Sequence, residues 1–185
     1  MAMWDKLKEQ AKGLQQAQGS RGSSGHGSGH GRPGGSSGSS KAQLISTLKT
    51  QLTSLKTELK SGSYRDASMA MCALVAAADG QVDPAERQHV ESLILQNDVL
   101  KNFPSDQLLQ RFNKHVDQLA FNFQQGKTEV LQEIAKASKK QTEARAVVQT
   151  GLVVAGADGY VAPAEEQVLR EACAALGLSP QEFGL

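Results

Sequence analysis

An internal repeat constrains the fold of this 185-residue chain more than any other feature of its sequence. The eleven residues 78–88 recur as residues 157–167, and eight of the eleven are identical. Each copy reads Ala-Asp-Gly-x-Val-x-Pro-Ala-Glu, follows a segment rich in Ala and Val, and precedes another segment with helical periodicity. The sequence therefore predicts two related helix–loop–helix units, at 64–97 and 142–176.

The remainder of the chain after Tyr64 also predicts helices. No run alternates between apolar and polar residues, and Gly and Pro separate the periodic segments. We expect an all-α helical bundle with a final turn after Pro180 and these helices: 64–78, 84–97, 105–124, 128–140, 142–157 and 163–176. Gly126 is expected to follow the third helix and Thr128 to cap the next. Residues 179–182 read as a capping box.

The near-neutral net charge of +1 hides a division along the chain. Residues 1–62 carry nine Lys or Arg and three acids, whereas residues 63–185 carry eleven Lys or Arg and sixteen acids. Because the larger part is acidic and only eight residues are aromatic, nucleic-acid binding is not expected. No apolar run reaches the ~20 residues that span a bilayer, and the N-terminus lacks the features of a signal peptide.

The first 62 residues divide into three predicted segments. Residues 1–18 form an amphipathic N-terminal helix with Trp4, Leu7, Ala11 and Leu14 on one face. This helix docks on protein, or residues 1–14 make peripheral contact with an anionic membrane. Residues 19–40, with nine Gly and eight Ser, predict a flexible linker. Residues 41–62 predict a leading helix whose leucine seam packs on the bundle or forms a weak homodimer.

The repeat also resembles part of a calcium-binding loop. The order Asp-Gly-x-Val-x-x-x-Glu matches the second half of an EF-hand loop, but the first two ligand positions hold apolar residues. Two such half-sites brought together would offer oxygen ligands to a hard divalent cation, Ca²⁺, Mg²⁺ or Mn²⁺. The candidate metal ligands are Asp79, Asp83, Glu86, Asp158 and Glu165.

Helix-ending chemistry alone is the alternative explanation of the repeat. Gly after a helix, Pro at the first helical position and Glu two residues later are all common at helix ends. Asp83 is a good N-cap residue. Asp79 and Asp158 fit this explanation less well, because an acid at the C-terminal end of a helix opposes the helix dipole. A third reading, a di-iron site using Glu86 and His89, is weakened by Val168 in the second copy.

The chain shows no recognisable catalytic motif. Cys72 and Cys173 stand alone on apolar helical segments and are expected to be buried, reduced thiols. Of the two histidines in the predicted bundle, His115 is expected to be a surface or capping residue. We therefore expect no enzymatic activity and no organic cofactor.

The repeated segments 78–86 and 157–165, together with the ending Leu-Gly-Leu-Ser-Pro-Gln-Glu-Phe-Gly-Leu at 176–185, resemble the TerB family of bacterial tellurite-resistance proteins. The resemblance covers about residues 60–185. It implies a cytoplasmic, non-enzymatic helical domain whose acidic residues gather metal. It also implies partners, namely TerC-type membrane proteins and TerD-type calcium-binding proteins. Ala162 departs from the symmetric pattern, because an acid equivalent to Asp83 would be expected there.

These observations lead to one expected function and one alternative. The expected function is that of a stress-response adaptor which binds a divalent cation or a basic partner surface through an acidic interhelical patch. It would act in the cytoplasm with peripheral contact at the inner membrane. The alternative is a purely structural interaction or dimerisation module without a metal site.

Overall fold

A computed structural model of the chain describes residues 37–185, with side chains described from Lys41 onward. This part of the chain is helical and contains no strand, which confirms the all-α class. The helices are α1 Ser37–Ser54, α2 Gly62–Ala76, α3 Pro84–Gln96, α4 Ser105–Phe121, α5 Phe123–Ala135, α6 Gln141–Ala155 and α7 Pro163–Leu176. Short 3-10 helices lie at Leu100–Asn102, Lys136–Lys139 and Pro180–Phe183. No helix in residues 37–185 is long and apolar enough to cross a membrane.

Helix α2 forms the centre of the bundle. Every residue from Ala67 to Ala77 is buried, so this helix is covered on all sides by its neighbours. The Ala-rich segment of α2 thus forms a buried core helix. This agrees with its length, because an apolar run shorter than the ~20 residues that span a bilayer is more often a core helix. Near its N-terminal end, the Tyr64 hydroxyl lies 2.8 Å from the Thr150 hydroxyl of α6, and Thr150 donates to the Ala146 carbonyl.

Helix α1 packs its leucine seam on the bundle. Ile45, Leu48 and Leu52 are buried, and Leu59 is buried in the turns that follow the helix. The helix begins at Ser37, inside the segment predicted as linker, and it ends at Ser54, before the predicted end at residue 62. The seam therefore packs on the bundle, and the weak homodimer stays a prediction. The predicted N-terminal helix and most of the predicted linker lie outside the described residues.

The prediction of the boundary between α4 and α5 was wrong. Helix α5 begins at Phe123, and Gly126 is buried inside it instead of ending the preceding helix. The Asn122 side chain accepts the Gln125 N–H and so caps α5 in place of Thr128. Gly126 is needed for close approach, because a Cβ at this position would lie 2.6 Å from the Gln118 carbonyl oxygen.

Two further local predictions were also wrong. His115 is buried on α4, with Nδ1 2.9 Å from Oε1 of Gln118, and burial lowers its pKa. A residue flanked by Lys114 still faces the core, because it lies on the same side of the helix as its buried neighbours. The Ser179 side chain makes no capping bond, since its hydroxyl contacts Gln181 and leaves Glu182 to pair with Arg145.

Candidate functional site: two acidic turns at equivalent helix ends

The two copies of the repeat form turns with the same backbone hydrogen bonds. In the first, which connects α2 to α3, the Gly80 N–H donates to the Ala77 carbonyl at 2.9 Å. In the second, which connects α6 to α7, the Gly159 N–H donates to the Gly156 carbonyl at 2.9 Å. Both glycines have positive φ angles, +84° and +86°, which side chains rarely adopt. The repeat is therefore reproduced in three dimensions at the level of the turn, while an architecture of two equivalent units stays a prediction.

The aspartates of both turns bind their own backbone. Asp79 accepts the Gln81 N–H and Asp158 accepts the Tyr160 N–H, in each case at 3.1 Å. This arrangement is an Asx turn, in which the side chain imitates a backbone turn. The helix dipole disfavours an acid at these helix ends. The Asx turn explains why an acid is nevertheless found there. Each carboxylate uses one oxygen in this bond, and both side chains are exposed.

The next residues begin α3 and α7. Asp83 is the N-cap of α3 and accepts the Ala85 N–H at 2.7 Å, as predicted. At α7 the N-cap is Ala162, whose side chain cannot accept a bond, so Glu165 alone binds back to the Ala162 N–H at 2.8 Å. At α3, the Asp83 N–H likewise makes a hydrogen bond to Glu86, which by itself lowers the pKa of Glu86. The second turn thus keeps the glutamate half of a capping box.

The glutamates are the buried members of the group and experience the other carboxylates. Burial, together with the charges of Asp158, Glu86 and Asp79, raises the pKa of Glu165 to about 7 against the opposing effect of the Ala162 hydrogen bond. Burial likewise raises the pKa of Glu86, with Asp79 and Asp83 adding to the effect. Acids from both copies of the repeat therefore act on one another, and we call these five residues the acidic patch.

The acidic patch has an excess of negative charge. Within residues 37–185, no Lys or Arg forms an ion pair with Asp79, Glu86, Asp158 or Glu165. Arg87, which follows Glu86 in the sequence, pairs with Asp117. In the same described range, no three His, Cys, Asp or Glu side chains are arranged to hold one metal ion. The patch is thus an electrostatic site without a preformed set of three protein ligands.

Comparison with known proteins identifies the family to which this helical domain belongs. The family described as tellurite resistance protein TerB matches residues 65–185, well over half of the chain. The chain belongs to the TerB family. No curated protein and no solved structure matches it.

The TerB match covers both acidic turns and every residue of the acidic patch. It begins after α1, so the helix that packs its leucine seam on the bundle lies outside the matched region. Two polar features of this TerB domain escaped the sequence analysis, namely the buried His115 and the bond from the Ala162 N–H to Glu165. The full Ser/Thr-x-x-Glu spacing of a capping box is absent at the second, because residue 162 is Ala, although Glu at the third helical position is itself a capping signal.

Proposed function

We propose that this TerB-family chain is a non-enzymatic adaptor of the tellurite-resistance stress response, and that its acidic patch binds a divalent cation or a basic surface of a partner. Action at the inner membrane with TerC-type and TerD-type proteins belongs to the same proposal and is supported by the family resemblance. The observation that carries it is that carboxylates from both repeats lie close enough together to raise the pKa of the buried Glu165 and Glu86.

Electrostatics explains why the patch would bind a cation. Each added negative charge raises the cost of ionising the buried Glu165, so a cation that neutralises its neighbours relieves that repulsion. All candidate ligands are carboxylate oxygens, which suit hard ions such as Ca²⁺, Mg²⁺ and Mn²⁺. Because fewer than three of them converge, such an ion would keep water in part of its coordination shell.

The buried thiols support a role without covalent catalysis. Burial raises the pKa of Cys72 to about 12 and that of Cys173 to about 11. Neither residue is a thiolate near neutral pH, and the thiolate is the nucleophilic form of cysteine.

Calorimetry with the three ions tests the cation half of the proposal. The double variant Asp79→Asn/Asp158→Asn removes two charges, yet each Asn keeps an oxygen that can accept the turn N–H. We expect the variant to bind Ca²⁺, Mg²⁺ or Mn²⁺ at least about tenfold more weakly than the wild type, a loss of about 1.4 kcal/mol. Equal binding by both proteins, or no binding by the wild type, would contradict the cation half.

A matched control separates local from global electrostatics. Glu58→Gln/Asp106→Asn changes the net charge by the same amount at two exposed residues that do not act on Glu86 or Glu165. Its affinity should stay within about twofold of the wild type, because exposed charges are strongly screened at physiological salt. The same three proteins, titrated with a fluorescent lysine-rich peptide, test the basic-partner half.

The Asx turns favour the alternative of a purely structural role for the acids. If they serve only the fold, Asp79→Asn/Asp158→Asn will leave both cation and peptide titrations unchanged. The two functions are therefore distinguished by the same measurements.

A further inference from the structure

Helix α1 covers a face of the bundle that is formed by α6, α7 and the C-terminal 3-10 helix. Lys41 of α1 forms an ion pair with Glu166 in the first turn of α7, and Ile45 packs against Gly156 at the end of α6. The TerB match begins at residue 65, after α1 has ended at Ser54. The covered face thus belongs to the family domain, whereas the helix that covers it lies outside the match.

Two glycines form notches that receive side chains of α1. A Cβ at Gly156 would collide with Ile45, and a Cβ at Gly184 would lie 2.5 Å from Leu44. The backbone of Gly184 also favours glycine, because its φ is +72°. Gly156 has no such reason, since its φ is −95° and Ala77 takes the same place in the first copy of the repeat at −104°. Gly156 is therefore explained by the docking of Ile45.

The contact between α1 and the bundle is incomplete along one side of the helix. A groove of about 380 Å³ runs between α1, α3 and α6. The stripe of α1 that lines it consists of exposed residues without a large apolar side chain, namely Ala42, Ser46, Lys49 and Thr53. Protein interiors contain few voids larger than a water molecule, so the groove is contact area that α1 does not use.

A buried acceptor beneath α1 also lacks a partner. Gln149 of α6 is 8% exposed, and its Nε2 donates to Gln51 of α1 at 3.4 Å, which is long for a hydrogen bond. Within the part of the chain that the structure describes, its Oε1 accepts no hydrogen bond. Leaving a buried acceptor unpaired costs free energy, so α1 is not the best possible occupant of this face.

The chemistry of a better occupant follows from these contacts. It is an amphipathic helix with a basic residue four positions before a large apolar residue, as Lys41 precedes Ile45, and with further apolar residues three and seven positions later. Unlike α1, it carries large apolar side chains at the places of Ser46 and Thr53, where they fill the groove. Such a helix makes every contact that α1 makes and adds others, in the helix-in-groove mode of recognition.

We propose that this face is a docking site for an amphipathic helix of a partner protein, and that α1 is an intramolecular ligand which the partner helix displaces. The short connection from Ser54 to Gly62 holds α1 at an effective concentration of the order of millimolar. The α1 helix of a second copy would leave the groove equally unfilled and would not displace the tethered one. None of the contacts uses a carboxylate of the acidic patch, so the docking site goes beyond the proposed function.

Three labelled peptides test the docking. The first has the sequence of residues 37–54, the second adds Ser46→Leu and Thr53→Leu, and the third carries Thr47→Leu and Thr50→Leu at exposed positions outside the groove. The full-length chain is titrated with each by fluorescence anisotropy. We expect the second, groove-filling peptide to bind at least about tenfold more tightly than the other two. Equal affinities of the second and third peptides would overturn the assignment.

A compensating pair of changes locates the peptide on the face. Gly156→Ala in the chain places a Cβ against Ile45 of the bound peptide, whereas Ala77 shows that the equivalent turn accepts alanine. This variant should bind an Ile45→Ala form of the groove-filling peptide at least about tenfold more tightly than the original form, and the wild type should show the opposite order. The same order of the two peptides in both proteins would contradict the proposed site.

Amide hydrogen exchange of the wild-type chain tests whether α1 detaches by itself. We expect the amides of α1 to exchange at least about tenfold faster than those of α2, through an opening that leaves α2 protected. The variant Ser46→Leu/Thr53→Leu fills the groove from within the chain, so it should slow exchange in α1 and weaken the groove-filling peptide by at least about tenfold. Exchange in α1 as slow as in α2 would mean that α1 opens only with the whole bundle and would overturn the proposal.

Two further measurements complete the test. Sedimentation of the wild-type chain as a dimer that the groove-filling peptide dissociates would assign the face to α1 of a second copy, against a partner protein. Asp79→Asn/Asp158→Asn leaves the contacts of α1 in place, so it should bind the groove-filling peptide as the wild type does. Failure of the docking site is thereby distinguished from failure of the acidic patch.

Discussion

Glu165 combines burial with proximity to three other carboxylates. Its pKa is raised from the ordinary value of 4.5 to about 7. Below pH 4.5 the group is protonated in both the folded and the unfolded chain. Between pH 4.5 and 7 only the folded state retains the proton. The free energy of unfolding therefore contains a contribution that is full at low pH and is lost as the pH rises through about 7.

The variant Glu165→Gln should remove this contribution to the pH dependence. Gln cannot ionise, yet its side-chain oxygen can still accept the Ala162 N–H. We expect the variant to gain stability relative to the wild type as the pH rises from 4.5 to 8, by up to about 3 kcal/mol. Urea unfolding at several pH values measures this difference, and Glu58→Gln at an exposed site is the control. Parallel curves for Glu165→Gln and the wild type would contradict the prediction.

The turn glycines provide a second prediction at single residues. A Cβ at Gly80 or Gly159 would meet no atom within 4 Å, so substitution by Ala adds backbone strain without a steric clash. Because the two φ angles are nearly equal, Gly80→Ala and Gly159→Ala should each lower the free energy of unfolding by about 1–2 kcal/mol. Asn at either position should cost less, since Asn tolerates positive φ. Thermal unfolding of the four variants would reveal any inequality between the turns.

The leucine seam of α1 leads to a prediction about stability and oligomeric state. Leu52 is 1% exposed, so Leu52→Ala should cost about 2–5 kcal/mol. Leu55→Ala, at a half-buried position, should lower the free energy of unfolding by less. If the seam packs within one chain, the loss will not depend on protein concentration. A melting temperature that rises with concentration in the wild type, but not in Leu52→Ala, would instead indicate a dimer.

The corner between α4 and α5 should be sensitive to one methyl group. Gly126→Ala places a Cβ against the backbone of Gln118, which cannot rotate away as a side chain would. We expect a loss of about 1–3 kcal/mol, the usual range for overpacking. Gly62→Ala is the control, because its added Cβ would reach only the flexible end of Arg65, at 3.4 Å. Equal stability of the two variants in urea would show that the corner relaxes.

The same corner shows which parts of the fold the sequence could predict. Helices with clear periodicity and an Asp-Pro start, such as α3, were placed within a residue or two. The boundary at Gly126 was misplaced because a glycine that stops a helix and a glycine that permits close packing look alike without the third dimension. For the acidic patch, the repeat predicted five acids as metal ligands, and that role stays a prediction; which of their oxygens are occupied by turn bonds depends on the folded backbone.

Within residues 41–185, burial is dense in α2 and sparse in α3. Only Glu86, Val90 and Ile94 of α3 are buried, in contrast to the continuous burial of α2 from Ala67. Amide hydrogen exchange should therefore be slowest in α2, where opening requires global unfolding, and clearly faster in α3. Mass spectrometry of peptides from the two helices measures this order. Equal protection of both helices would mean that α3 opens only with the whole bundle.

The lightly packed α3 has Glu86 in its first turn and Leu93 and Gln96 in its last. Its two ends lie about 18 Å apart, because thirteen residues are separated by twelve steps of 1.5 Å. A cation bound at Glu86 and any ligand bound at the other end would each restrict the same helix. Thermodynamic linkage then requires that each ligand change the affinity of the other by an identical factor. A helix fixed so weakly to the core would let this small domain report at one end what is bound at the other.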